Sequence, residues 1–263
     1  MVKPHSEGSG WIKSVEKCFT LLQTIEQQKG RRVSELASQH DMAKSTVHNY
    51  LTTLRRLGYV EKRGKEYVPT TKFLSLGGYA RHSDPRWGTL YREAKPEADE
   101  LARETGENVR LMGDNGRNAI ILYHTSGEQA IQTNVYVGMS VPLHATSLGK
   151  AYLAHLPREK LEDFLSNGRL INEVQESIAD ITTLRTELDE IRAKGVAFDH
   201  EERYRGIRCV GAPILKEGVV VGAMSVSGPT RRMKGERFEE SIPEKIQESA
   251  RAIEIRISNQ PFV

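Results

Sequence analysis

Between Val33 and Leu57 the chain carries two short apolar repeats of helical period, separated by the tight link Asp41-Met42-Ala43. This spacing constrains the segment more than any other feature of the sequence. Two short helices joined by three or four residues form a helix-turn-helix. Val33, Leu36 and Ala37 predict a helix from Ser34 to about His40. Val47, Leu51, Leu54 and Leu57 predict another from about Lys44 to Leu57, closed by Gly58 in the left-handed conformation that ends helices. Ahead of both, Ile12, Val15, Phe19, Leu22 and Ile25 form the apolar stripe of an amphipathic helix that Gly30 stops.

The opposite face of the third helix carries Ser45, His48, Asn49 and Thr52 at i, i+3, i+4 and i+7, with Thr46 alongside. Such a face is most often simply solvated. Its short donors and acceptors can also reach base edges in a major groove. Lys44, Arg55 and Arg56 sit near the helix ends, where phosphates would pass. Directly afterwards Tyr59–Lys62 and Glu66–Val68 alternate as short strands around Arg63-Gly64-Lys65, a basic-tipped hairpin. Residues 1–83 hold 14 Lys/Arg against 7 Asp/Glu, a net +7, whereas the rest of the chain holds 24 against 28, a net −4. A basic block carrying a helix-turn-helix and a basic wing points to double-stranded DNA, with Lys62, Arg63 and Lys65 joining Lys44 and Arg55 as phosphate contacts.

Downstream, Asp84-Pro85 reads as a helix start, and the helical pattern runs to about Thr105, with Pro96 expected to kink or restart it. Val109–Gly113 and Ala119–His124 are predicted strands around an Asp114-Asn115-Gly116 turn, and Ile131–Val137 is predicted to be a further strand. Helices are predicted at Ser147–Leu156, Pro157–Leu165, Thr182–Lys194 and about Ile242–Ile257. Ile207–Leu215 and Val219–Ser227 form a hairpin around Lys216-Glu217-Gly218. Strand groups interrupted by helices give an α+β domain. No apolar run approaches the ~20 residues of a membrane span, the N-terminus lacks a signal-peptide core, and Cys18 and Cys209 make no disulfide framework. A cytoplasmic location with no membrane partner is expected.

Together these segments resemble the IclR family of transcriptional regulators. In the N-terminal half the resemblance rests on Val33-Ser34-Glu35-Leu36-Ala37, Lys44-Ser45-Thr46-Val47-His48, Leu51, Leu54, Leu57-Gly58-Tyr59-Val60 and Tyr67. In the second half it rests on Val141–Ala154, Gly195–Glu202, Gly206–Ile214 and Val219–Gly228. The family's recognition helix usually reads Ser-Thr-x-x-Arg-x-Leu; here Asn49 stands at the arginine position, which implies a different contact. The resemblance implies an α+β fold in which an N-terminal winged helix-turn-helix (1–70) is joined by a helical linker (71–85) to a GAF-like α+β effector and oligomerisation domain (86–263). It also implies a homodimer or tetramer that binds operator DNA and answers to a small-molecule effector, with no cofactor.

In the second domain, Thr146 or Ser147 can cap the helix that follows, and its free N–H groups suit an anion. On the residues alone this is an ordinary capped helix. The family resemblance places a small carboxylate effector there, at Ala145 and Thr146. In similar proteins an acid at Asp199 and the thiol at Cys209 point into the same pocket. Ser225 and Ser227 alternate on one face of the second hairpin strand and would join them. The residues equally allow a charged Asp199–Arg205 loop and a small core cysteine. A metal site of Cys209, Asp199 and His144 is conceivable, but no nucleophile or metalloprotease motif appears, so neither metal nor catalysis is expected. An enzyme or an adaptor domain fused to a DNA-targeting winged helix is the alternative.

Overall fold

A computed structural model describes residues 10–114, 118–166 and 180–260. The chain divides into two compact units, Met1–Tyr79 and Ala80–Val263. The first contains α1 (Lys13–Gln27), α2 (Val33–Gln39), α3 (Lys44–Arg56), β1 (Val60–Arg63) and β2 (Glu66–Pro69). Local chemistry fixes these limits. At the start of α2, Glu35 accepts the Arg32 N–H at 2.9 Å, a capping contact. Asp41, at φ 49°, turns the chain between α2 and α3, a conformation that short polar residues tolerate. At the end of α3, Gly58 adopts φ 80°, and the Tyr59 N–H reaches back to the Leu54 carbonyl at 2.9 Å. Gly64, at φ 61°, turns the β1–β2 hairpin. Leu21, Ile25, Leu36, Val47, Leu51, Leu54 and Tyr67 form the core.

The predicted stripe of α1 divides. Ile25 is buried and Leu22 partly so, but Ile12, Val15 and Phe19 are 62%, 51% and 57% exposed. The buried line is Cys18, Leu21, Leu22 and Ile25, a second series at helical spacing that the core of this unit takes instead. The expected linker region holds α4 (Lys72–Ser83), in which no side chain is buried and Leu74, Leu76 and Tyr79 are exposed.

The second unit contains α5 (Pro85–Thr105), β3 (Asn108–Asp114), β4 (Ala119–Ser126), β5 (Ser140–Val141), α6 (Ser147–Ala154), α7 (Arg158–Ser166), α8 (Ile181–Lys194), β6 (Ala197–His200), β7 (Ile207–Lys216), β8 (Val219–Pro229) and α9 (Ile242–Ser258). A π-helical turn, Arg237–Ser241, leads into α9. The strands form one antiparallel sheet in the order β5-β4-β3-β8-β7-β6. Alternation along the strands gives it two apolar faces. Val109, Leu111, Val210 and Met224 pack with Leu90 and Leu101 of α5 and Ile246 and Ile253 of α9. Met112, Ile121 and Ala223 pack with Leu148 and Leu153 of α6 and Leu184 and Leu188 of α8. The architecture is a helix-turn-helix unit followed by an α+β domain.

Three further expectations are revised. Helix α5 runs unbroken through Pro96, which lies on its exposed side, where a carbonyl freed by the proline can be hydrated. Ile131–Val137 is not a strand; β5 and Met139 take the edge of β4 instead, through Ile121 N–H to the Met139 carbonyl at 3.0 Å. Residues 197–200 form a strand, so Asp199 stands in the sheet and not in a loop. The turn expected at Asn115-Gly116 lies outside the described residues. Among the described residues no helix is long and apolar enough to cross a membrane.

Candidate nucleic-acid interface and ligand cavity

Because Val47, Leu51 and Leu54 turn α3 into the core, the opposite side faces out. Lys44, Ser45, His48, Asn49, Arg55 and Arg56 are exposed, while Thr46 and Thr52 are half-buried at the margins of that face. Lys62, Arg63 and Lys65 are exposed on the hairpin. Strand β2 is anchored on its second side by Arg31, whose N–H and carbonyl pair with Tyr67 at 3.2 and 2.8 Å. The wing is therefore tied by backbone hydrogen bonds to the segment that leads into α2. Arg63 already contacts Glu61 through Nε at 2.8 Å, an exposed pair of little energetic weight that a phosphate could replace.

The second site follows from sheet register. Asp199 of β6 pairs with Cys209 of β7, Cys209 with Ser227 of β8, and Ser227 with Asn108 of β3. In the next row Gly211 pairs with Ser225, and Ser225 with Arg110. These polar residues alternate with Val109, Leu111, Val210 and Met224, which pack under α5 and α9, so they face the side covered by α6. The N-terminus of α6 comes down onto β7 at Gly211, where a Cβ would lie 2.6 Å from the carbonyl carbon and oxygen of Ser147. Thr146 caps α6 by accepting the Gly149 N–H at 3.2 Å.

Between α6, the sheet and the irregular segment 131–135 lies a cavity of about 270 Å³. Of the sequence-predicted residues, Thr146, Asp199, Cys209 and Ser225 line it. Ala145 is buried behind it, and Ser227 is reached only indirectly, its Oγ accepting from Arg110 Nη1 at 2.8 Å. The sequence reading missed Arg110, Ser147 and Tyr204, which also line the cavity. Arg110 could have been found as the single charge in the otherwise uncharged run Asn108–Gly113. A strand buried on both faces has no ordinary place for a guanidinium.

Electrostatics set this cavity apart. Arg110 is only 9% exposed, and burial lowers its pKa from the ordinary arginine value. Burial, with the nearby Glu202 charge, pushes the Asp199 pKa up to about 6. Burial and the charge of Asp199 hold the Cys209 thiol well above its ordinary value, which keeps it protonated. Asp199 Oδ1 accepts the Glu202 N–H at 2.9 Å. Glu202 in turn accepts from the fully buried Lys150 of α6 at 2.6 Å, and Lys150 also reaches Glu187 of α8 at 2.5 Å. Among the described residues no three side chains of His, Cys, Asp or Glu gather to hold a metal ion. A wider cleft of about 1480 Å³ opens beside Trp87 and Tyr152. Its central carboxylate, Asp114, is already paired with Arg86 at 2.9 Å and with Tyr152, so the smaller cavity is the better candidate.

Comparison with known proteins matches both units. Residues 88–255 fit the family model described as the bacterial transcriptional regulator IclR C-terminal domain, and residues 14–64 fit the IclR helix-turn-helix domain. The HTH-type transcriptional regulator BhcR of Paracoccus denitrificans is 33% identical, over 94% of this chain and 88% of its own length. The HTH-type transcriptional regulator KdgR of Escherichia coli is 30% identical, over 88% of each. The crystal structure of the Thermotoga maritima IclR superposes with a TM-score of 0.72 at 30% identity, covering 94% of this chain and 99% of that one.

Proposed function

From the premise that this chain belongs to the IclR family, as a transcriptional regulator with a helix-turn-helix DNA-binding domain, we propose that it binds operator DNA sequence-specifically and that a small carboxylate effector modulates this binding. In this reading residues 1–70 bind DNA, 71–85 link, and 86–263 sense the effector. Ser45, Thr46, His48, Asn49 and Thr52 read base edges in the major groove, while Lys44, Arg55, Lys62, Arg63 and Lys65 hold phosphates. The effector occupies the cavity at Thr146, Asp199, Cys209 and Ser225, with Ala145 and Ser227 supporting it. The observation that carries the reading is the exposed polar face of α3 together with a basic hairpin whose second strand is anchored through Arg31.

The reading includes a homodimer or tetramer. Large apolar side chains that the chain itself leaves uncovered support it: Ile12, Val15 and Phe19 on α1, and Leu74, Leu76 and Tyr79 on α4. Two recognition helices related by symmetry suit a pseudo-palindromic site. An effector acts only through different affinities for DNA-competent and incompetent arrangements, and the linker is the element proposed to change. The cavity is read as a binding site and not a catalytic centre; in support, its thiol, Cys209, is buried and held protonated.

Fluorescence anisotropy tests the DNA reading, using a duplex from upstream of this protein's own gene, a scrambled duplex and a salt series. Tight, sequence-dependent binding with a steep salt slope is expected. His48→Ala and Asn49→Ala should each lower discrimination by about 1–3 kcal/mol. Lys65→Ala should weaken both duplexes alike and reduce the salt slope by about one. No binding even at low salt would refute the proposal.

A further inference from the structure

The ligand cavity contains a buried guanidinium on which the charge of Asp199 acts, but which no carboxylate holds in a direct ion pair among the described residues. Arg110 is 9% exposed at the centre of the sheet. Its Nη1 donates to Ser227 Oγ at 2.8 Å and its Nη2 to Thr133 Oγ1 at 3.2 Å, both neutral partners. Its buried Nε has no hydrogen-bond partner, and among the described residues no carboxylate forms an ion pair with it. A guanidinium so placed is costly to the free protein, since buried charges are ordinarily paired. Ser147, 1% exposed at the start of α6, also lines the cavity and leaves its Oγ unpartnered. Two residues that line the cavity thus each carry a buried polar atom without a hydrogen-bond partner.

Asp199 adds a second condition. It lines the same cavity, 3% exposed, and is held by the Glu202 N–H on one oxygen. An incoming anion would be repelled by this carboxylate unless the ligand also presents a hydrogen-bond donor to it. At about 270 Å³ the space lies just below the range of drug-sized sites, so the ligand is a small metabolite.

We infer that Arg110 is the anion receptor of this cavity and that its ligand is a small hydroxy-carboxylate, whose carboxylate meets the Arg110 guanidinium while a hydroxyl donates to Asp199. This inference rests on the effector reading above and adds the chemical class and the residue that selects it. The segment 131–135 closes over the ligand, fixed by the Asn108 Nδ2 bond to the Ile131 carbonyl at 2.9 Å and by the Arg110–Thr133 contact.

The test uses the full-length protein at pH 7.5 in thermal-shift and calorimetric titrations. Probes are hydroxy acids of two to six carbons from glycolate to gluconate, the matching deoxy acids, the matching primary amides, and neutral polyols and amines. At least one hydroxy acid should raise the melting temperature and bind more tightly than both its deoxy analogue and its amide. Arg110→Gln should lower that affinity by about 100-fold or more, as expected when one partner of a buried charge pair is lost. Arg110→Lys should recover part of it. Without ligand, Arg110→Gln should melt no lower than the parent, because it removes a buried charge that no direct ion pair holds; a ligand-free loss would instead mark Arg110 as structural.

A hydroxy acid that binds Arg110→Gln as tightly as the parent overturns the inference, and so does stabilisation by amides or polyols equal to that by acids. Either result leaves the effector reading standing. No stabilisation by any probe, charged or neutral, overturns the inference and the effector reading together, while the DNA-binding measurements remain independent of both.

Discussion

Replacing Lys150 by methionine probes how the polar side of the effector domain is held. Lys150 is fully buried on α6, its ammonium 2.5 Å from Glu187 and 2.6 Å from Glu202. Burial lowers its pKa, but the charges of Glu202 and Glu187 outweigh burial and leave it above the ordinary lysine value. Methionine fills a similar volume, so little cavity is created. What remains is the Glu202 carboxylate, 8% exposed, without its cation and with Oε2 already unpartnered. Breaking a buried ion pair from one side costs about 3–5 kcal/mol. For a domain of the size of Ala80–Val263, each kcal/mol shifts Tm by about 2–4 °C, so Lys150→Met should lower it by about 6–20 °C at pH 8.

The loss must also depend on pH. Burial already raises the Glu187 pKa against the opposing charge of Lys150, so without the ammonium the folded state binds a proton more readily than the unfolded chain. Stability of the variant therefore rises relative to the parent as pH falls from 8 toward 5. A second change, Glu202→Gln, should restore over half of the loss at pH 8 by removing the stranded charge. Urea unfolding followed by circular dichroism at both pH values measures this. A loss below about 1 kcal/mol at pH 8, the scale of an exposed pair, would refute the reasoning. An equal loss at both pH values would do the same.

Three further outcomes are expected. Gly211→Ala places a Cβ 2.6 Å from the Ser147 backbone, which cannot yield as a side chain would; it should cost about 1–3 kcal/mol and displace the α6 N-terminus, read as lost stabilisation by ligand. Asp84→Ala removes the cap that accepts the Arg86 and Trp87 N–H groups, both at 2.9 Å, and should cost about 1 kcal/mol in urea unfolding. Asp199 has a folded pKa of about 6 against an ordinary 3.8, a raised acid whose stability penalty is absent below the unfolded value and grows as pH rises through the folded one. Asp199→Asn should accordingly exceed the parent by about 3 kcal/mol at pH 8 and match it below about pH 4, and a pH-independent difference would contradict that assignment.

Most of the fold was legible because most of its elements are specified locally. The link at Asp41, the left-handed Gly58 and the Asp84 cap are short-range devices, and the α3 and β7–β8 patterns are strongly periodic. The failures occurred where a local pattern served something other than its own element. The apolar residues of α1 fit two adjacent stripes, and only packing shows which one the core takes. The alternation of Ile131–Val137 resembles a strand, but residues 131–135 line a cavity and the neighbouring sheet edge is already taken.

By itself, then, the sequence determined the helix-turn-helix, most of the helices and the long hairpin of the second unit, the polar outer face of α3 and the basic wing, because helical period, glycine conformation and capping act within a few residues. Only the tertiary structure decided that Asp199, Cys209, Ser225 and Arg110, far apart in the chain, share one side of the sheet with the capped start of α6. Strand register and the close approach at Gly211 set that arrangement, and both depend on pairings between distant segments. The same pairings leave a guanidinium at the sheet's centre with its Nε unpartnered, a property of the assembled domain that no local pattern encodes.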